Sequence, residues 1–198
     1  MPMSPVVASV VVMTSTIDLG HFVSGDVIDL ILTDHVRFES LLRQLRDSSS
    51  DRDAVRRAFA ELHVAHATAE EELVYPKLRT KRAITAHEAE HGTEEHAEGN
   101  EALLAVLELK GTDTEAFDDA VEELCKAVNH HLAEEELTIL NPARDDVGLQ
   151  VRVELGEAFA KRRNELIAQG CASLTQVRAI VRDAEREGLL DDEDDDED

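Results

Sequence analysis

The sequence contains no tryptophan and a single tyrosine, and aromatics make up only 3% of its 198 residues. A core without large rings must be filled by Leu, Val, Ile and Ala, which favours helix packing over a sandwich or barrel. Basic residues are also scarce. Against 20 Lys and Arg stand 44 Asp and Glu, a formal net charge of −24. Such a surface repels nucleic-acid backbones and anionic membranes, so neither is expected as a partner. The two cysteines, Cys125 and Cys171, are too few for a disulfide framework and suit a reduced, cytoplasmic protein. No stretch approaches the roughly 20 apolar residues of a membrane span. The short apolar run from Val6 to Met13 has no basic residue before it, which argues against a signal peptide.

What is present is helical periodicity. Apolar residues make up 42% of the chain, enough for one sizeable core, and no useful strand-like alternation interrupts them. The first helical pattern runs from about Asp26 to Arg46, the second from Asp51 or Asp53 to between Pro76 and Arg82. The third spans about Ile84 to Lys110, and the fourth starts at TDTEAF and ends at Asn141-Pro142. Short connections make neighbours antiparallel, so the expected fold is all-α, an up-down-up-down antiparallel four-helix bundle over residues 25–142. Residues 143–190 are expected as a C-terminal helical extension. It holds a fifth helix over 145–169 that stops at Gly170, and a last helix opened by the capping box SLTQ at 173–176. Residues 1–24 are expected to be a poorly ordered lead-in, and 191–198, DDEDDDED, a disordered acidic tail.

Two stretches share an unusual layout: HATAEEELVYP at 66–76 and HHLAEEELTILNP at 130–142. At about 100° per residue each polar group can be placed against its apolar stripe. His35 falls in step with Ile28, Ile31, Phe38 and Leu42. His66 falls in step with Phe59, Leu62 and Leu73, with Glu70 about 40° away on the same side. On the fourth helix His131 and Glu135 continue the stripe of Phe117, Val121, Leu124 and Val128, while His130, Glu134 and Glu136 belong to the solvated side or its border. His96 lies about 25° from the centre of the side marked by Leu103, Leu104 and Leu107, whereas His87 and His91 lie about 150° or more away in an unbroken helix. Glu71 and Glu72 point away, His21 and His87 are expected in solvent, and Glu39 belongs to the surface or to an outer partner shell. His63 fits a border position or an outer partner equally.

One inward histidine on each of four helices, with two inward carboxylates a turn later, needs compensation, because burying unpaired carboxylates costs several kcal/mol each. A metal provides it. Imidazole and carboxylate at i and i+4 project side by side, and a mixed set without thiolate suits Fe, Mn or Zn. Six protein ligands, His35, His66, Glu70, His96, His131 and Glu135, exceed what one zinc ion uses and suit a dinuclear centre.

On TDHVRF with His35, HATAEEELVYP with His66 and Glu70, EEHAEGNEALL with His96, and HHLAEEELTILNP with His131 and Glu135, the chain resembles the bacterial hemerythrin-like (HHE cation-binding) proteins. That resemblance implies two iron ions in an oxo- or hydroxo-bridged, non-haem di-iron centre, bridged by the two carboxylates. It also implies binding or reaction of O2, nitric oxide or peroxide at the more open iron, with the metal centre itself as the catalytic group. The family usually supplies a fifth histidine, often a second one on the third helix. His91 is the nearest candidate if Gly92 and Gly99 rotate that helix start inward; otherwise the site keeps four histidines and an extra solvent position. The leading expectation is a stand-alone cytoplasmic oxidant-handling or gas-binding protein in oxidative or nitrosative stress handling, for which catalase-like peroxide disproportionation is one form. The alternative is an iron- or oxygen-sensing binding module without turnover, signalling through residues 145–190 to an unidentified protein partner. A purely structural bundle with a histidine pH response is the third.

Overall fold

Side chains at the helix starts fix where the chain becomes helical. Asp26 accepts a hydrogen bond from the Ile28 N–H and opens α1 (Val27–Arg46), Asp51 accepts from Ala54 and opens α2 (Arg52–Ala69). After α3 (Tyr75–Lys81), Thr85 and Glu88 form a reciprocal capping box at the head of α4 (Ala86–Glu108). Thr114 caps α5 (Glu115–Glu135), which is followed by α6 (Asn141–Asp146) and α7 (Leu149–Gln169). A second capping box, Ser173 with Gln176, opens α8 (Leu174–Glu187). These caps satisfy first-turn N–H groups that have no partner inside the helix. The structure is a computed structural model that describes residues 17–190, and all regular structure among them is helical. The expected acidic tail at 191–198 and the first 16 residues of the expected lead-in lie outside the described residues.

The second and fourth helical patterns pass through their prolines. From α2 a single π-helical turn, Glu70–Val74, leads into α3, and from α5 the turn Glu136–Leu140 leads into α6. Pro76 and Pro142 each sit in the first turn after it. In a regular helix a proline lacks the N–H and its ring collides with the carbonyl four residues back. The wide turns carry bonds spanning five residues, Tyr75 N–H to Glu70 O and Asn141 N–H to Glu136 O, which re-space those carbonyls. The fourth pattern therefore does not end at Asn141-Pro142 but continues to Asp146, and the fifth helix begins at Leu149 rather than 145.

α1 packs on α2 and α5, and α4 packs on α5 and α2, so these four close a ring. α7 lies against α1 and α2, and α8 against α4. The apolar interior divides into two clusters. One holds Phe38, Phe59, Leu62, Leu103, Phe117, Leu124 and Val128; the other holds Ile28, Ile31, Ala69, Val74, Leu78, Ile139 and Phe159. On each helix of the ring the layer between the clusters is polar.

Residues 17–24 fall in the stretch expected to be poorly ordered, yet they are tied to α7. Arg163 donates to the carbonyls of Gly20 and Leu19 at 3.0 and 2.7 Å, Asn164 donates to the carbonyl of Phe22 at 2.7 Å, and Phe22 is buried. The sequence gives no hint of this because the partners lie more than 140 residues apart. Cys125 and Cys171 are both free and buried. Among the described residues no helix is long and apolar enough to cross a membrane.

α7 crosses the entrance to α1 at a glycine. A Cβ added to Gly156 would stand 2.1 Å from the carbonyl oxygen of Gly25, a backbone atom with little freedom to move. Gly156→Ala is therefore expected to cost about 1–3 kcal/mol as an overpacking change. The measurement is a urea midpoint at unchanged helical circular dichroism in buffer. An unaltered midpoint would show that α7 does not press on this turn.

Candidate metal centre

α1, α2, α4 and α5 each place one buried histidine in the polar layer: His35, His66, His96 and His131. Glu70 opens the π turn after α2 and Glu135 closes α5, both one helical turn beyond a histidine and both buried. The carboxylates reach across the ring as well as along their own helix. Glu70 Oε2 lies 3.1 Å from His66 Nε2 and 3.3 Å from His96 Nε2. Glu135 Oε2 lies 3.2 Å from His35 Nε2 and 3.9 Å from His131 Nε2. Grouped by proximity, the six form two triads, His35–His66–Glu135 and Glu70–His96–His131, each offering ligand atoms within 4.8 Å of one another.

The opposite ring nitrogen of every histidine meets a further carboxylate. His35 Nδ1 is 2.9 Å from Glu136, His66 Nδ1 is 3.3 Å from Asp34, His96 Nδ1 is 2.8 Å from Glu71 and His131 Nδ1 is 3.0 Å from Glu95. A carboxylate can only accept, so each Nδ1 carries the proton and donates, leaving each Nε2 of a neutral ring with a free lone pair aimed at the centre. The pattern has an internal two-fold relation between α1–α2 and α4–α5. The acid just before His35 or His96 serves the histidine of the following helix, Asp34 for His66 and Glu95 for His131. The acid just after Glu70 or Glu135 serves the remaining one.

Whether these residues fit a metal is answered by their unmet hydrogen bonds. All four Nε2 atoms, both oxygens of Glu70 and Oε2 of Glu135 are buried without a hydrogen-bond partner among the described residues. Buried polar atoms in native proteins are nearly always paired. Lone-pair atoms converging from four helices, each backed by an outer carboxylate, form a donor set suited to cations such as iron, manganese or zinc. The remaining oxygen of Glu135 accepts from Tyr75 Oη at 3.0 Å, and the Tyr75 ring stacks on His96 at 5.8 Å.

The charges hold one another in place. Burial pulls the His66 imidazole down, but Glu70 and Asp34 outweigh it and lift it to about 9. His96, likewise disfavoured by burial, is lifted to about 10 by Glu70 and Glu71. Burial disfavours the Glu70 carboxylate, yet His66 and His96 hold it below its usual range. His131 is pushed down by burial and by the neighbouring His96. Burial, and then Glu135, push the Tyr75 hydroxyl well above its ordinary range, so it remains a donor.

All six core ligands expected from the sequence meet at this layer. His91 does not. It is exposed and lies 3.6 and 3.7 Å from Glu94 and Glu95, because α4 is regular through Gly92 and keeps that face outward. The space in front of Gly92 is filled instead: a Cβ there would meet the Tyr75 ring and hydroxyl at 3.1–3.2 Å. His21 and His87 are exposed, and Glu39 is an exposed residue paired with Arg43. His63 is buried and stacked on Phe59 beside Gly99, outside both triads; burial and the nearby histidines hold it well below its ordinary range. Periodicity missed Asp34, Glu71, Glu95 and Glu136. Glu71 and Glu136 lie off their own stripes, but a glutamate on a stripe border can reach an adjacent helix. Asp34 and Glu95 immediately precede His35 and His96, a signal that could have drawn attention to them.

The family description "Hemerythrin HHE cation binding domain" matches residues 26–142, more than half of the chain. A curated relative, the DNA nickase of Nostoc sp. (strain PCC 7120), is 26% identical over 144 residues, which are 70% of this chain and 39% of that protein. No solved structure matches the chain.

The raised histidines set a sign for pH. The protons of His66 and His96 stabilise the metal-free fold fully below the ordinary value of 6.5, and that contribution is lost as pH rises through about 9 to 10. Glu70 acts oppositely, its contribution being lost as pH falls below the usual carboxylate range. Chelator-treated protein should therefore unfold at progressively lower urea between about pH 6.5 and about pH 10. A flat or rising midpoint over that window would contradict this electrostatic account.

Proposed function

Since the chain belongs to the hemerythrin HHE cation-binding domain family, we propose that α1, α2, α4 and α5 run up-down-up-down around a di-iron centre that binds or reacts with O2, peroxide or nitric oxide. His35, His66, His96 and His131 would hold the ions through Nε2, together with the carboxylates of Glu70 and Glu135. The carrying observation is the convergence of buried, unpartnered lone-pair atoms from four helices in one layer. When bound, a pair of iron ions supplies the two electrons that O–O bond chemistry exchanges.

The chain's own groups do the rest. Glu71, Glu95, Glu136 and Asp34 fix the tautomer and orientation of the four rings. The two apolar clusters exclude bulk water above and below the layer, which strengthens every interaction inside it. Tyr75 holds one oxygen of Glu135 by hydrogen bond and occupies the room left by Gly92, where no side chain of α4 enters. The layer brings four histidines rather than five to the ions, which would leave room there for a small molecule and favours peroxide or nitric oxide chemistry over a sealed O2 carrier. Catalase-like peroxide disproportionation in a cytoplasmic stress response is the form we favour.

One observation favours the sensing alternative: buried Arg163 on α7, outside the matched residues, bonds the Asp34 that holds His66. The nicking activity in the name of the Nostoc relative is not carried over. A net charge of −24 opposes a DNA backbone, and the alignment covers 39% of that protein.

Metal analysis of purified protein should find about two irons per chain with near-ultraviolet oxo-to-ferric absorption. Glu71→Gln, which removes the anion behind His96, should weaken metal affinity by about 10–100-fold. Oxygen evolution on adding peroxide separates catalyst from sensor. Protein that stays metal-free after growth with abundant ferrous salt would sink the whole reading.

A further inference from the structure

The centre's internal two-fold relation is broken at one place. Asp34 and Glu95 are equivalent in the pattern, each accepting from the Nδ1 of the next helix's histidine. Their surroundings differ. Asp34 is fully buried and both its oxygens are taken: Arg163 Nε donates to Oδ2 at 2.6 Å and Arg163 Nη2 to Oδ1 at 2.8 Å, with Arg37 Nη1 also on Oδ1 at 2.9 Å. Arg163 is itself fully buried and is held over the Phe22 ring and on the carbonyls of Leu19 and Gly20. Among the described residues no arginine pairs with Glu95. Its Oε1 has no hydrogen-bond partner among the described residues, and its other cationic neighbours are the exposed imidazoles of His91 and His130, 3.7 and 3.6 Å away. The outer acids of the other two histidines, Glu71 and Glu136, are partly open to water, and no arginine pairs with either among the described residues.

We propose that Arg163 is a positioning residue that makes the two triads electronically unequal, so that the ion at His35–His66–Glu135 is the more easily reduced of the pair. The inference rests on the dinuclear reading above and adds to it an order of reduction. A carboxylate that accepts from Nδ1 pushes electron density through the imidazole and makes Nε2 a stronger donor, which favours the higher oxidation state of a bound ion. A bidentate guanidinium on that carboxylate withdraws the density again, and its own positive charge favours the lower oxidation state. Both effects act on His66 and neither on His131. The bond lengths agree: Asp34 to His66, at 3.3 Å, is the longest of the four outer pairs. Arg163 lies on α7, outside the matched residues 26–142, so this inequality is imposed on the family's centre from the C-terminal extension.

The test is a stepwise reduction of the iron-loaded full chain with dithionite, one electron from the reductant converting one ferric ion to ferrous at each step. The half-reduced, one-ferric one-ferrous form is followed by electron paramagnetic resonance. The wild-type chain should pass through a well-populated half-reduced state. Arg163→Gln should lower the first potential and shrink the separation of the two steps by about tenfold in the equilibrium constant, about 59 mV for a one-electron couple. Arg163→Lys, which keeps the charge, should retain most of the separation. Arg37→Gln, on the outer edge of the same acid, should give a smaller change of the same sign and serves if Arg163→Gln does not fold. Asp34→Asn should act oppositely and widen the separation, because the anion behind His66 is gone while the arginines remain. General loosening of the site would move the arginine variants and Asp34→Asn alike, and that outcome, or an unchanged separation in chains that still load two irons, overturns the proposal alone. A chain that never loads two ions overturns it together with the di-iron reading.

Discussion

Six ionisable side chains able to hold a metal lie buried in one layer between two apolar clusters, and the rest of the molecule is arranged around the cost of keeping them there. None is stable in that position alone, since an isolated buried charge costs more than a folded domain has to spare. The structure meets this with reciprocal pairing. Each inner acid touches a histidine of its own helix and one from another, and each histidine is backed by an outer acid. What pairing leaves over, the Nε2 lone pairs and the oxygens of Glu70 and Glu135, is what a cation uses.

The two π turns belong to the same constraint. Each begins at or just after an inner glutamate, and each is followed within two residues by a proline. Widened turns of this kind are frequent at functional sites. Here the widening lets the chain remain helical past Pro76 and Pro142, so that Tyr75 lies against His96 and reaches Glu135. A helix broken at Glu70 would lose that contact and the lower part of the second apolar cluster.

α7 reaches into the layer as well as covering it. α7 covers α1 and α2 and delivers Arg163 into the interior, where one guanidinium binds Asp34 and also anchors residues 19 and 20. The matched family segment and its extension are therefore joined through the candidate metal layer. This ties packing to the candidate centre: displacing α7 would remove the counter-charge of the acid that holds His66.

The sequence alone determined the all-helical class, the four long helices within a few residues, and the inward placement of His35, His66, Glu70, His96, His131 and Glu135. Those follow from a period that a helix imposes on any residue along its own axis. It did not determine the course through Pro142, because a widened turn departs from the regular period. Nor did it reveal Asp34, Glu71, Glu95 and Glu136 as outer partners, whether α4 stays regular through Gly92 and so keeps His91 outward, or the anchoring of residues 17–24. Each of these depends on which neighbouring helix a side chain faces and how far it reaches. Periodicity fixes an angle about one axis, whereas distances between axes exist only once the helices have packed.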